Sequence, residues 1–171
     1  MKEKLFATPS ENYPGGKYQD HLFDMYKLYV EMTDRISQRR AQANTLFLTL
    51  NTALLAAMGV IVSKNVNLLF FAIVGLAGLA NCYFWRRLIV SYKQMNSGKF
   101  KVIHEIEAVL PLQLYKAEWI ALGEGKNPKK YAPFTHIEQN VPIIFMALYS
   151  LMILAALAVI YINISVGCFY G

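Results

Sequence analysis

Three stretches of this chain run without any Asp, Glu, Lys or Arg: residues 41–63, 65–85 and 139–171. A helix crossing the roughly 30 Å hydrocarbon core of a bilayer needs about 20 mostly apolar residues. The segments 43–63, 66–85 and 141–164 meet that requirement. Barrel strands would alternate apolar and polar positions. These runs are continuous, so each predicts a membrane-spanning helix, which satisfies its own backbone N–H and C=O groups where water is absent. Little more than Lys64 and Asn65 separates the first two spans, which predicts a tight helical hairpin.

The polar blocks follow another rhythm. Residues 1–16 form a loose tail with Pro9, Pro14, Gly15 and Gly16, whereas 17–42 contain neither Gly nor Pro. In 17–42, Leu22, Tyr26, Tyr29, Thr33 and Ile36 recur at spacings of four and three, with Phe23 and Val30 widening the stripe. That is a heptad seam. Lys27–Glu31 and Glu31–Arg35 stand at i,i+4 on the opposite face, each contributing about 0.2–0.5 kcal/mol. The pattern predicts one amphipathic helix running on into the first span. Its seam needs a partner, either the second polar block or another subunit. The second block, 86–140, begins as a continuation of the second span as far as Met95 and is expected to break at Asn96-Ser97-Gly98. A short helix with Phe100, Ile103, Ile106 and Leu110 on one face should follow and end at Pro111. Residues 123–133 read as a loop. Thr135 and Glu138 have capping-box spacing for the helix that becomes the third span. Pro142 then falls in its first turns, where a missing N–H costs least, and 165–171 form a short tail.

Composition turns this pattern into an address. Of 171 residues, 56% are hydrophobic and only 16% are charged, against about 25% charged in soluble domains. A water-soluble globule, a disordered chain and a disulfide-stapled secreted domain are thereby excluded. The net charge is +6, and its placement matters more than its size. Arg35, Arg39 and Arg40 precede the first span, Arg86 and Arg87 close the second, and Lys126, Lys129 and Lys130 precede the third. Basic flanks stay in the cytoplasm, and one orientation puts every basic residue except Lys64 inside. The expectation is a multi-pass protein of the bacterial inner membrane with its N-terminus cytoplasmic and its C-terminus outside. Tyr83, Trp85, Phe169 and Tyr170 sit where spans leave the lipid and read as interfacial anchors. The first apolar run begins only at residue 43, so no signal peptide is expected. Cys82 and Cys168 fall on opposite sides, so no disulfide is expected between them.

The strings YKLYVEMTDRISQRRAQANTLFLTLNT (26–52), WRRLIVSYKQMNSGKFKVIHEIEAVLP (85–111), AEWIALGEGKNPKKY (117–131) and THIEQNVP (135–142) resemble the RipA-type octameric membrane protein family of bacteria. The resemblance covers about residues 13–142; the third span is similar mainly in character. It implies a homo-octamer in the inner membrane, a ring of eight copies, and it brings no catalytic residues. The fold class expected is an all-α integral membrane protein: three transmembrane helices with a helical cytoplasmic region, assembling as a ring.

Candidate chemistry is sparse. His104 and Glu107 at i,i+3, with Glu105, His136 and Glu138, suggest a metal site on paper, yet no HExxH or CxxC pattern supports one. Gly125-Lys126 lacks the upstream Gly and following Ser or Thr of a phosphate loop; Ile120 and Asn127 stand there instead. No Ser–His–Asp spacing stands out. No enzyme activity, metal or cofactor is therefore expected. The spans offer more. Thr45, Thr49 and Thr52, continued by Ala56, Gly59 and Ser63, form one stripe, and Asn51 lies deep in the first span. Ala72, Gly75, Gly78 and Cys82 line up on the second, with Asn81 beside them. Small residues allow close helix approach, and buried Asn or Thr bond across helices for about 0.6–2 kcal/mol. These positions read as helix packing within or between subunits. The alternative is a conduit along the ring axis lined by Thr45, Thr49 and Thr52. The lack of ionisable residues in the spans weighs against proton-coupled transport. Arg86, Arg87, Lys129 and Lys130 form a basic rim suited to anionic lipid headgroups. Nucleic acid is not expected, because no basic patch with stacking aromatics is present. Two classes of function lead: a scaffold that gathers an unidentified cytoplasmic protein or lipids, in envelope upkeep or stress adaptation, and a channel. A membrane-bound enzyme using His104 or Glu107 is the third.

Overall fold

The computed structural model describes the backbone of residues 5–62, 68–131 and 134–169, with their side chains except at 61, 62, 68, 134–136 and 166–169. Lys64, the hairpin tip and the side chains of Thr135, Cys168, Phe169 and Tyr170 lie outside the described set. Every regular element among the described residues is helical: α1 (Tyr18–Val62), α2 (Leu68–Glu107), α3 (Leu114–Ala121) and α4 (Phe134–Phe169), with short 3-10 turns at Ser10–Asn12, Pro14–Gly16 and Gly123–Gly125. Three of the helices are long and apolar enough to cross a membrane.

The chain divides into two compact units. The spanning unit comprises 41–90 and 134–171; the polar unit comprises 1–40 and 91–133. The spanning unit packs the apolar ends of α1, α2 and α4 around Met58, Phe71 and Ala156, with Val74 and Met152 against them. Most of its remaining apolar side chains are exposed, Ile73, Leu76, Leu151 and Leu154 among them. That is the expected surface of a bundle solvated by lipid. The polar unit buries Thr33, Ile103, Ile106 and Glu107.

Three expectations need correction. Asn96-Ser97-Gly98 does not break the helix: α2 is continuous from Leu68 to Glu107. Gly costs only about 1 kcal/mol relative to Ala in a helix interior, and Asn and Ser less. Packing directly after the triplet outweighs that, since Phe100 meets the Tyr115 ring edge-on at 5.6 Å and Lys99 sits 4.3 Å over the Tyr29 ring. The stop comes from Pro111, whose ring would clash with the carbonyl of residue 107 in a continuing helix. The last turn accordingly tightens into Val109 N–H to Ile106 O and Leu110 N–H to Glu107 O bonds. Pro142 is not in the first turn of α4. The helix begins at Phe134 and holds Pro142 in its interior. Within membrane bundles such a proline is tolerated because neighbouring helices re-satisfy the freed groups. Trp85, finally, is no lipid anchor. It is 2% exposed, because its indole N–H has a partner inside the bundle.

Candidate functional site

In the spanning unit the buried polar side chains converge on Asn51. Its amide Nδ2 donates to the Phe47 carbonyl at 2.7 Å, one turn back on α1. Its Oδ1 accepts from the Cys82 thiol of α2 at 3.3 Å and from the Tyr149 hydroxyl of α4 at 3.2 Å. All three residues are wholly buried. One amide thus ties all three spanning helices, in a medium that offers no water as a substitute partner. Gly75 and Gly78 make this approach possible. A Cβ on Gly75 would meet the Ile153 side chain at 2.6 Å, and one on Gly78 the Tyr149 ring at 2.5 Å. Both glycines are therefore consumed by packing α2 against α4 within the subunit. Asn81, beside Cys82, is half-buried.

A second polar relay lies where the charged residues begin. The Trp85 indole N–H donates to Asn44 Oδ1 at 2.9 Å, and Asn44 Nδ2 donates to Glu138 Oε1 at 2.9 Å. Phe47 stacks on Trp85, and Phe145 flanks it at 6.2 Å. An open groove of about 150 Å³ runs past this relay, lined by Asn44, Thr45, Leu48, Trp85, Glu138 and Val141. The stripe Thr45, Thr49 and Thr52 stands in contrast to Asn51. All three are exposed, and the Thr45 hydroxyl turns back to the Ala41 carbonyl at 3.1 Å. Arg86, Arg87, Lys129 and Lys130 are exposed as well.

In the polar unit the seam faces inward. Thr33 is 3% exposed and Leu22, Tyr26, Tyr29 and Ile36 are half-buried. Tyr26 and Tyr29 meet side chains of α2 in the same chain, so the seam closes at least partly within the subunit. The anchor is Glu107, fully buried at the end of α2. Its Oε1 accepts from the Tyr26 hydroxyl at 3.0 Å and the Tyr115 N–H at 2.9 Å, and its Oε2 from the Lys116 N–H at 3.3 Å. The last two are first-turn donors of α3, whose own N-cap residue, Gln113, makes no side-chain cap bond. A carboxylate suits the positive end of that helix. Glu107 therefore acts here as a structural tie. Among the described residues no three His, Cys, Asp or Glu side chains gather as a metal site.

Burial, and then the bond to Glu107, push the Tyr26 phenol from its usual 10 up to about 12. Burial, followed by the nearby Asp34 and Glu118 charges, also raises Tyr115. Raised folded-state values favour the neutral phenol, so this contribution to stability is complete below pH 10 and disappears as pH rises through 12. Thermal melts across that window should lose stability more steeply in the wild type than in Tyr26→Phe. Equal slopes would show that Tyr26 does not report on the fold.

Sequence reasoning did not foresee Glu107 as a cap, the Asn44–Trp85–Glu138 relay, or Tyr149 as the third partner of Asn51. The only advance signals were a weak N-cap at Gln113 and polar residues placed near the ends of apolar runs. A family model described as the octameric membrane protein family (8xMP) matches residues 23–158. No curated protein and no solved structure matches the chain.

Proposed function

Because this chain belongs to the octameric membrane protein family, we propose that it works by assembling, without catalysis, as a ring-shaped inner-membrane scaffold that organises lipids or a cytoplasmic partner. The observation that carries this reading is the contrast inside one helix. Asn51 is spent on Cys82 and Tyr149 within the subunit, while the neighbouring face of Thr45, Thr49, Thr52 and Ala56 is uncovered. At Gly59 on the same stripe, a Cβ would meet nothing within 4 Å. Small and hydroxylated residues of this kind are what helix–helix contacts in membranes use. A neighbouring copy is the cover the reading calls for, and a head-to-tail contact whose rotation closes makes a ring. Arg86, Arg87, Lys129 and Lys130 would then hold anionic headgroups at the inner rim, and envelope upkeep or stress adaptation is the setting such a particle suits.

The second reading is a channel along the axis, favoured by the exposure of Thr45, Thr49 and Thr52 on one stripe. Planar-bilayer recording on particles of verified copy number separates the two. The scaffold reading expects no conductance across varied voltage and tension; steady unitary currents altered by Thr49→Leu would replace it with the channel. The orientation has its own check. In a Cys168→Ala background, Lys64→Cys should be labelled by a membrane-impermeant thiol reagent from outside intact cells or spheroplasts, and labelling only from the cytoplasmic side would invert the topology.

A further inference from the structure

The polar unit leaves several large apolar side chains exposed, and two groups of three stand out in a part of the chain where lipid is no explanation. On α1, Met25, Leu28 and Met32 recur at three and four residues, a second seam beside the buried one, and they are 69%, 57% and 44% exposed. Met32 precedes Ala43, where the apolar run starts, by about 16 Å of helix at 1.5 Å per residue. Ion pairs from Lys27 to Asp24 and from Arg35 to Glu31 hold the solvated flank of the same helix. The other face is the turn between α2 and α3, where Val109, Leu112 and Leu114 are 48%, 67% and 61% exposed. The turn is not loosely hung: Glu107 clamps the N-terminus of α3 directly after it. Three large apolar side chains on a clamped turn, and three on a helix of the same compact unit, are surfaces that water disfavours.

A ring of more than two copies needs an interface of two different patches, one on each side of every subunit. A single self-complementary patch closes a dimer and stops. These two faces lie on separate elements of one unit. We infer that the Met25–Leu28–Met32 face of one subunit docks on the Val109–Leu112–Leu114 turn of the next copy, forming the polar-unit half of the ring contact. This rests on the ring reading above. A second copy is the occupant because the family assembles as an octamer, so each subunit must be covered by identical neighbours on two sides.

The test uses the full-length chain carrying Cys82→Ser and Cys168→Ala, with Leu28→Cys, Leu112→Cys or both, reconstituted in lipid nanodiscs. Native mass spectrometry first fixes the copy number; mild oxidation then reads contact. The inference expects the double variant to cross-link into a ladder reaching the full ring. A mixture of the two single variants should give dimers, and each single variant alone should give none. Dimers from Leu28→Cys alone would overturn it by showing that the face pairs with itself. An intact ring with no Leu28–Leu112 cross-link would overturn it while leaving the ring reading in place. A particle with no higher copy number than one would remove both.

Discussion

Gly78→Leu is expected to unfold the spanning bundle of the subunit itself, before any question of assembly arises. A Cβ at this position would fall 2.5 Å from the Tyr149 ring, and the rest of a leucine has no route past it. The ring cannot swing aside without cost, since Tyr149 is wholly buried and its hydroxyl is bonded to Asn51. Overpacking a filled core costs about 1–3 kcal/mol, at times more, and an interhelical bond lost in lipid adds about 0.6–2 kcal/mol. Together these equal a large part of the stability of a domain, about 5–15 kcal/mol. Gly78→Leu should therefore give little folded protein in detergent and a melting temperature far below wild type, with Gly78→Ala intermediate. Gly59→Leu is the matched control. It adds the same side chain to a spanning helix where a Cβ meets nothing within 4 Å, so the subunit should fold normally and any effect should appear in copy number. A Gly78→Leu protein that melts like wild type would show that α2 and α4 do not pack as described.

Glu107→Ala should have the second largest effect, and it should be local to the polar unit. The substitution removes the acceptor of the Tyr26 hydroxyl and of the Tyr115 and Lys116 amides. A buried donor left without a partner costs about 1–3 kcal/mol, and here three donors lose one carboxylate. The amides of 114–121 should exchange with deuterium much faster, while the spanning unit keeps its protection. Glu107→Gln retains one oxygen and should fall between Ala and wild type. If Glu107→Ala left α3 protected, the short helix would be held by its own contacts and the carboxylate would be incidental. Loss of function in Glu107 variants is thus expected to follow loss of structure.

The spans were legible because charge-free runs of sufficient length have few other physical uses. The seam was legible in register, since a 3-4 repeat over Leu22, Tyr26, Tyr29, Thr33 and Ile36 defines one face, but its partner was not. Which side chains meet Tyr26 and Tyr29 depends on α2 remaining helical through Gly98, and local propensity pointed the other way. Glu107 was hidden for a related reason. It precedes the helix it caps by seven residues, and only the turn around Pro111 brings the carboxylate back to those amides. Asn51 and Thr52 are adjacent in sequence, yet one is wholly buried and the other exposed. Their 100° separation around the helix becomes informative only when α2 and α4 are in place. Trp85 misled because a tryptophan at the end of a span suits either a headgroup or a buried acceptor, and Asn44 supplied the latter.

Whether the uncovered threonine face belongs to a neighbour decides most directly between scaffold and channel. A reconstruction of the assembled particle in lipid measures this in one step. The prediction is a closed ring of eight copies, with Thr45, Thr49 and Thr52 in contact with the adjacent subunit and the axis filled by lipid or protein. A continuous water-filled axis lined by those three threonines would contradict the scaffold and put the channel in its place.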